Sequence, residues 1–97
     1  MVLTVNDQAQ LSSKLIRRVK YLLYKLKEKF DQIVYTHVHF AVEGTSPKVI
    51  NLKLVIGLPG QDLVYTSKDI EAELLVKSTY LKVKRLLSKH FSRISER

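Results

Sequence analysis

The chain has 97 residues, no cysteine, and 17 Lys and Arg against 9 Asp and Glu, for a formal net charge of +8. That length supports one domain with one modest core, because a chain of this size buries roughly two-thirds of its unfolded surface. The composition excludes disulfide and thiolate chemistry, no apolar run reaches the ~20 residues of a bilayer span, and the opening MVLTVNDQAQ lacks the basic start and apolar stretch of a secretory signal, so a cytoplasmic location is expected.

The first element is a short strand over residues 2–5, VLTV, followed by a polar connection, NDQAQL. Ser12 or Ser13 then caps a helix, since a serine hydroxyl accepts from the free N–H groups of the first turn. Leu15, Val19, Leu22, Leu26, Phe30 and Ile33 recur with a 3.6-residue period and form one apolar stripe. At ~100° per residue the opposite face carries Lys14, Arg17, Arg18, Tyr21, Tyr24, Lys25, Glu28 and Lys29. Lys14, Arg18, Tyr21 and Lys25 fall on one line along it.

Residues 34–42, VYTHVHFAV, alternate as a strand does. Val34, Thr36, Val38, Phe40 and Val42 share one face, and Tyr35, His37, His39 and Ala41 the other. EGTSP makes a turn. Residues 48–56 alternate again, with Ile50, Leu52, Leu54 and Ile56 on one side. GLPGQD is a hairpin connection in which Pro59 and Gly60 suit the two central positions of a type II turn. LVYT is a last short strand. The stretch TSKD, Thr66 to Asp69, has the form of a capping box, which predicts a second helix from near Asp69. Its apolar residues are Ala72, Val76, Tyr80, Val83, Leu87, Phe91 and Ile94. Acids at Asp69, Glu71 and Glu73 and cations at Lys89 and Arg93 suit the helix dipole.

The order is β-α-β-β-β-α. Strand, helix, strand at the start asks for a right-handed crossover, and three hairpin-linked strands make a meander. Each helix has one apolar stripe and each long strand one apolar face. The economical solution is an α+β fold, a four-stranded sheet with both helices packed on one face, in a single domain over 1–97.

Catalytic chemistry finds little support. The pair His37 and His39 shares a strand face, but zinc wants three or four ligands, and the remaining histidine is His90 on the second helix; the pair reads as polar residues on a solvated face, and no metal or cofactor is expected. GLPG matches the Gly-x-x-Gly of a KH domain, yet there the loop joins two helices, and here it joins two strands. No Walker loop, dinucleotide fingerprint or serine elbow is present. The chain is not expected to be an enzyme or to take a small-molecule substrate.

The charges point elsewhere. Seven cations lie in 14–29 and seven in 77–97, so fourteen of the 17 sit on the two helices. Like charges so placed repel, and a face built only for solubility would mix signs. Tyr21 and Tyr24 lie among them. Cations hold phosphates, and rings stack on unpaired bases. The apolar stripes are needed for the core, so neither helix has a face to spare for lipid. A nucleic acid is the expected partner, and a membrane is not.

SSKLIRRVKYLLYKLKEKFDQI closes in Lys25, Leu26, Phe30, Asp31 and Ile33, a Lys-Leu-x-x-x-Phe-Asp-x-Ile signature, and RLLSKH, Arg85 to His90, corresponds to an Arg-Gln-Leu-x-Lys-His helix ending. In these features and in element order the chain resembles the ribosome hibernation-promoting factors in their short form, also called ribosome-associated inhibitors or the sigma-54 modulation family. Where that family opens its second helix with Asp-x-Tyr-x-Ala-Ile-Asp, this chain has EAELLVK. The resemblance implies a non-catalytic protein that binds the small ribosomal subunit and its rRNA in the mRNA and tRNA channel and silences translation. The expected RNA-binding residues are Arg17, Arg18, Tyr21, Lys25 and Lys29 on the first helix and Lys82, Arg85, Lys89, His90 and Arg93 on the second. Two alternatives stand beside this reading. One is a protein-interaction module, raised by Leu74 and Leu81, which either pack on the first helix or mark a partner site. The other is a general double-stranded-RNA-binding domain, whose strand and helix order is related. Oligomeric state is left open by these patterns.

Overall fold

The computed structural model describes residues 1–95, the last three of them by their backbone alone. The elements are β1 (Val2–Asp7), α1 (Ser13–Lys29), β2 (Tyr35–Glu43), β3 (Val49–Leu58), β4 (Gln61–Asp69) and α2 (Ala72–Ser95). The sheet has the spatial order β1-β2-β3-β4, with β1 parallel to β2 and the other two pairs antiparallel. Both helices cover one face, as the residue pattern predicts, and the other face is open.

Local chemistry sets the boundaries. β1 is longer than expected because Gln8 N–H donates to Phe40 C=O at 2.9 Å and holds the strand on β2. Asp7 then organises the turn into α1, accepting from Ala9 N–H at 3.0 Å and Leu11 N–H at 2.8 Å. Ser12 is the helix cap, its hydroxyl accepting from Leu15 N–H at 3.2 Å. At the other end Lys27 Nζ donates to the carbonyls of Asp31 and Ile33, so this cation serves the negative end of the helix. The turn at Pro59 and Gly60 is tight, and Gly60 takes φ +84°, as the third position of a type II turn demands.

The second helix starts later than the capping-box pattern indicates. Thr66, Ser67, Lys68 and Asp69 pair with Lys53, Leu52, Asn51 and Ile50 as the end of β4. The long partner strand β3 overrides the local helix-start signal, and the short strand LVYT becomes one of nine residues. Asp69 still serves the helix start, its carboxylate accepting from Glu71 N–H at 3.0 Å. Glu71 C=O in turn accepts from Leu75 N–H.

The core is one layer between sheet and helices. It holds Leu15, Val19, Leu23, Leu26, Phe30 and Ile33 from α1 and its exit, Val38 and Phe40 from β2, Leu52, Leu54, Ile56 and Leu58 from β3, and Leu75, Val76, Val83 and Leu87 from α2. Leu23 rather than Leu22 is the buried member of its pair, because α1 is rotated slightly from the stripe read off the sequence; Leu22 is half-buried at the cleft between the helices. Val34 lies outside β2 and is exposed, and Val42 near the strand end is also exposed. Tyr80 and Phe91 are half-buried at the core margin, and the Ile94 side chain lies outside the described residues. Phe91 stacks on Phe30 with ring centroids 5.5 Å apart, which joins the C-terminal ends of the two helices.

Candidate nucleic-acid interface

Because β1, β2 and β4 all run one way, α1 and α2 both return the other way and lie side by side in the same direction. Two observations fix their facing flanks. Near their N-termini a depression of about 380 Å³ is lined by Ser12, Lys14, Leu15 and Arg18 of the α1 side and by Glu73 and Lys77. Below it, Leu22 and Tyr80 close the cleft over the core. Helical spacing carries these flanks onward. On α1 the line Lys14, Arg18, Lys25 and Lys29 borders the cleft, and on α2 the line Lys77, Tyr80 and Lys84 does. The groove between the helices is therefore edged by six cations, with Glu73 as the acid placed there.

Rings are interleaved with these charges. Lys25 Nζ sits 5.6 Å from the Tyr21 ring centroid, Lys84 Nζ 5.9 Å from that of Tyr80, and Lys29 Nζ 5.7 Å from that of Phe30. Tyr21 and Tyr24 are about half exposed, at 55% and 51%. Of the three rings beneath a cation Tyr21 is the exposed one, and with Lys25 over it the pair offers one unit that meets a phosphate and a base or ribose together.

The expected RNA-binding residues thus fall into three groups. Arg17, Arg18, Tyr21, Lys25 and Lys29 are all exposed on α1, with Arg18, Lys25 and Lys29 on the groove. Lys82, Arg85 and Lys89 are exposed on α2 but on the flank turned away from α1. His90 is half-buried, its Nδ1 3.2 Å from Gln61 Nε2 and its ring edge-on to Phe91, so it ties α2 to the β3–β4 turn. The Arg93 side chain lies outside the described residues. Lys77 and Lys84, absent from the expected set, stand on the groove. Their i, i+7 spacing was legible, but which flank of α2 meets α1 was not.

Leu74 and Leu81 do not pack on α1. They are 52% and 51% exposed, opposite the buried stripe of α2, because α1 lies beside α2 rather than above it. The open face of the sheet carries Tyr35, His37 and His39 on β2. Tyr35 lies across Gly57 of β3 to reach Asp62 of β4, following the register Tyr35, Gly57, Asp62. The Asp62 carboxylate accepts from its hydroxyl, and this bond, then burial and the carboxylate charge, hold the phenol above its usual pKa. Among the described residues no group of three or more His, Cys, Asp or Glu is placed to hold a metal ion, and no helix is long and apolar enough to cross a membrane.

No family model and no curated protein matches the chain. Solved structures do. A ribosomal subunit interface protein from Coxiella burnetii superposes with a TM-score of 0.81 at 18% identity, covering 95% of this chain and 99% of that one. The N-terminal domain of Thermus thermophilus Protein Y superposes with a TM-score of 0.73 at 12% identity, covering 93% and 99%. The chain shares their fold over nearly its whole length.

Proposed function

We propose that this chain is a cytoplasmic, non-catalytic factor that binds small-subunit rRNA in the mRNA and tRNA channel of the ribosome and silences translation. The observation that carries the proposal is the inter-helix groove, where Lys14, Arg18 and Lys77 line a depression with Glu73 as its acid and helical spacing sets Lys25, Lys29 and Lys84 along the same flanks. Their mutual repulsion costs stability, and a phosphate backbone converts that cost into affinity. Arg18 can take a phosphate bidentately, while the lysines act as point charges. Tyr21 and Tyr24 add ring faces for unpaired bases. Lys82, Arg85, Lys89 and His90, with Arg93, extend the contact along the other flank of α2.

Two further lines support the ribosome as the source of that RNA. The α1 signature and the RLLSKH ending resemble the hibernation-promoting factors, and one fold neighbour is described as a ribosomal subunit interface protein. The test is sedimentation of purified protein with separated small and large subunits, alongside a cell-free translation assay. Co-migration with small subunits, displaced by mRNA and initiator tRNA, together with inhibited translation, is the expected result. Association with neither subunit would overturn the proposal.

The exposure of Leu74 and Leu81 favours a second reading, a protein-interaction module using the outer face of α2. That association would persist at high salt, where phosphate contacts are lost.

A further inference from the structure

The open face of the sheet carries chemistry that the helix groove does not use. Along β2 the outward residues are Tyr35, His37, His39 and Ala41, so three rings stand in a row on the face away from the helices. Residues two apart on a strand lie ~6.7 Å from each other. That is twice the stacking rise of about 3.4 Å per nucleotide. Two rings at this spacing leave a gap that takes one flat base between them.

The row has one closed gap and one open gap. Tyr35 and His37 have collapsed edge-on, with centroids 5.0 Å apart. Between His37 and His39 the surface sinks into a shallow depression of about 450 Å³, floored by Val38 and Val55 and walled by Thr4, Asn6, His37, His39 and Lys53. Register explains this set. Thr4 pairs with His37 and Asn6 with His39 across β1 and β2, and Lys53 pairs with His39 across β2 and β3. One side of the slot therefore offers a hydroxyl and an amide, the groups that read base edges. The other side offers an ammonium for a phosphate. The other charges of this face are engaged, Lys68 with Glu43 at 4.0 Å and Asp62 with Tyr35. Lys53 is left as the cation of the slot.

We propose that this face is a second RNA-binding site, which takes one unpaired nucleotide of a single-stranded segment between His37 and His39, with Lys53 on its phosphate and Thr4 and Asn6 on its base edge. A four-stranded sheet with exposed rings on a central strand is a surface on which single strands stack. A duplex is excluded, because its bases are already stacked. The site lies on the opposite side of the sheet from the helix groove, so one RNA strand passing the sheet edge, or two separate strands, can occupy both.

The test uses the full chain and fluorescein-labelled octamers of U and of A. In an Arg18→Glu/Lys25→Glu background, which weakens the helix groove, adding His37→Ala/His39→Ala should lower octamer affinity at least tenfold by anisotropy. His37→Tyr/His39→Tyr should retain it, because the slot needs rings. On the unaltered protein, the His37 and His39 ring resonances should shift saturably with octamer and stay still with a duplex of the same length. Uridine monophosphate should shift them more weakly than the octamer. Silent ring resonances, or octamer affinity within twofold after the alanine pair, overturns the proposal. A monophosphate as effective as the octamer overturns it in favour of free nucleotide, and a response only to another protein does so in favour of a protein partner. Small-subunit binding through the helices can fail or hold independently of all these outcomes.

Discussion

Charge reversal at Arg18 and Lys25 separates the groove's binding role from its role in the fold. Each reversal removes one positive charge and adds one negative, so the pair takes the net charge from +8 to +4. Both side chains are exposed, and neither hydrogen-bonds within the described protein, so the core is untouched. Lys14 with Arg18, and Lys25 with Lys29, are like-charged i, i+4 pairs that become opposite ones. Each such change gains roughly 0.2–0.5 kcal/mol, offset by the lost Lys25–Tyr21 contact and by new repulsion from Glu28 three residues on, so Tm should stay within a few degrees. Binding moves the other way. Six groove cations on six phosphates imply a log K against log salt slope of about −5, or on the order of a thousandfold loss from 50 to 200 mM salt. With four contacts the slope falls to about −3.5 and the loss to on the order of a hundredfold, while affinity at low salt drops as well. The control is Leu26→Ala, the residue after Lys25 and ~100° round the same helix. Leu26 is 1% exposed and borders the space of about 30 Å³ beneath the helices, so the lost methyl groups enlarge an existing void. That costs about 3–5 kcal/mol and lowers Tm on the order of 15–30 °C. The assay is small-subunit co-sedimentation at four salt concentrations with thermal unfolding of each variant. An unchanged salt slope in the charge-reversed protein would refute the groove as the binding surface.

Thr79 Oγ1 is buried beside that same space with no hydrogen-bond partner among the described residues. Thr79→Val should therefore raise stability by about 1 kcal/mol in urea unfolding, and a loss would show that the hydroxyl is satisfied in solution. A Cβ at Gly57 would lie 2.1 Å from Tyr35 Cε1, so Gly57→Ala must expel the ring and should cost roughly 1–3 kcal/mol; the cost should shrink in a Tyr35→Ala background, and an undiminished cost would place the strain elsewhere. The Tyr35 phenol should ionise above the ordinary phenol range in an ultraviolet titration, and Asp62→Asn should bring it down. Because its folded pKa is raised, its contribution to stability is complete below the ordinary phenol range and is lost as pH climbs through the folded value; a Tyr35 that titrates within the ordinary phenol range would remove the Asp62 bond.

Much of this fold is local in origin, and the sequence alone determined it. The α1 stripe, the Ser12 cap, the alternation of β2 and β3 and the Pro59–Gly60 turn each follow from neighbours a few residues apart, and together they dictate the β-α-β-β-β-α order. The segregation of cations onto the two helices is likewise a property of the chain itself. The start of α2 was decided by tertiary structure, because the ladder with β3 holds Thr66 to Asp69 in a strand against their own helix-start signal. So was the choice of Leu23 over Leu22 and the exposure of Leu74 and Leu81, since a helical period defines a buried face but not how the neighbouring helix sits against it. The groove itself is of this kind. Lys77 and Lys84 join Arg18 and Lys25 only because the two helices lie parallel across one sheet, and Thr4, Asn6 and Lys53 gather around His37 and His39 only through strand register. Periodicity along a chain carries one-dimensional information, whereas a binding surface is made by residues far apart in sequence that packing and hydrogen-bond register bring side by side.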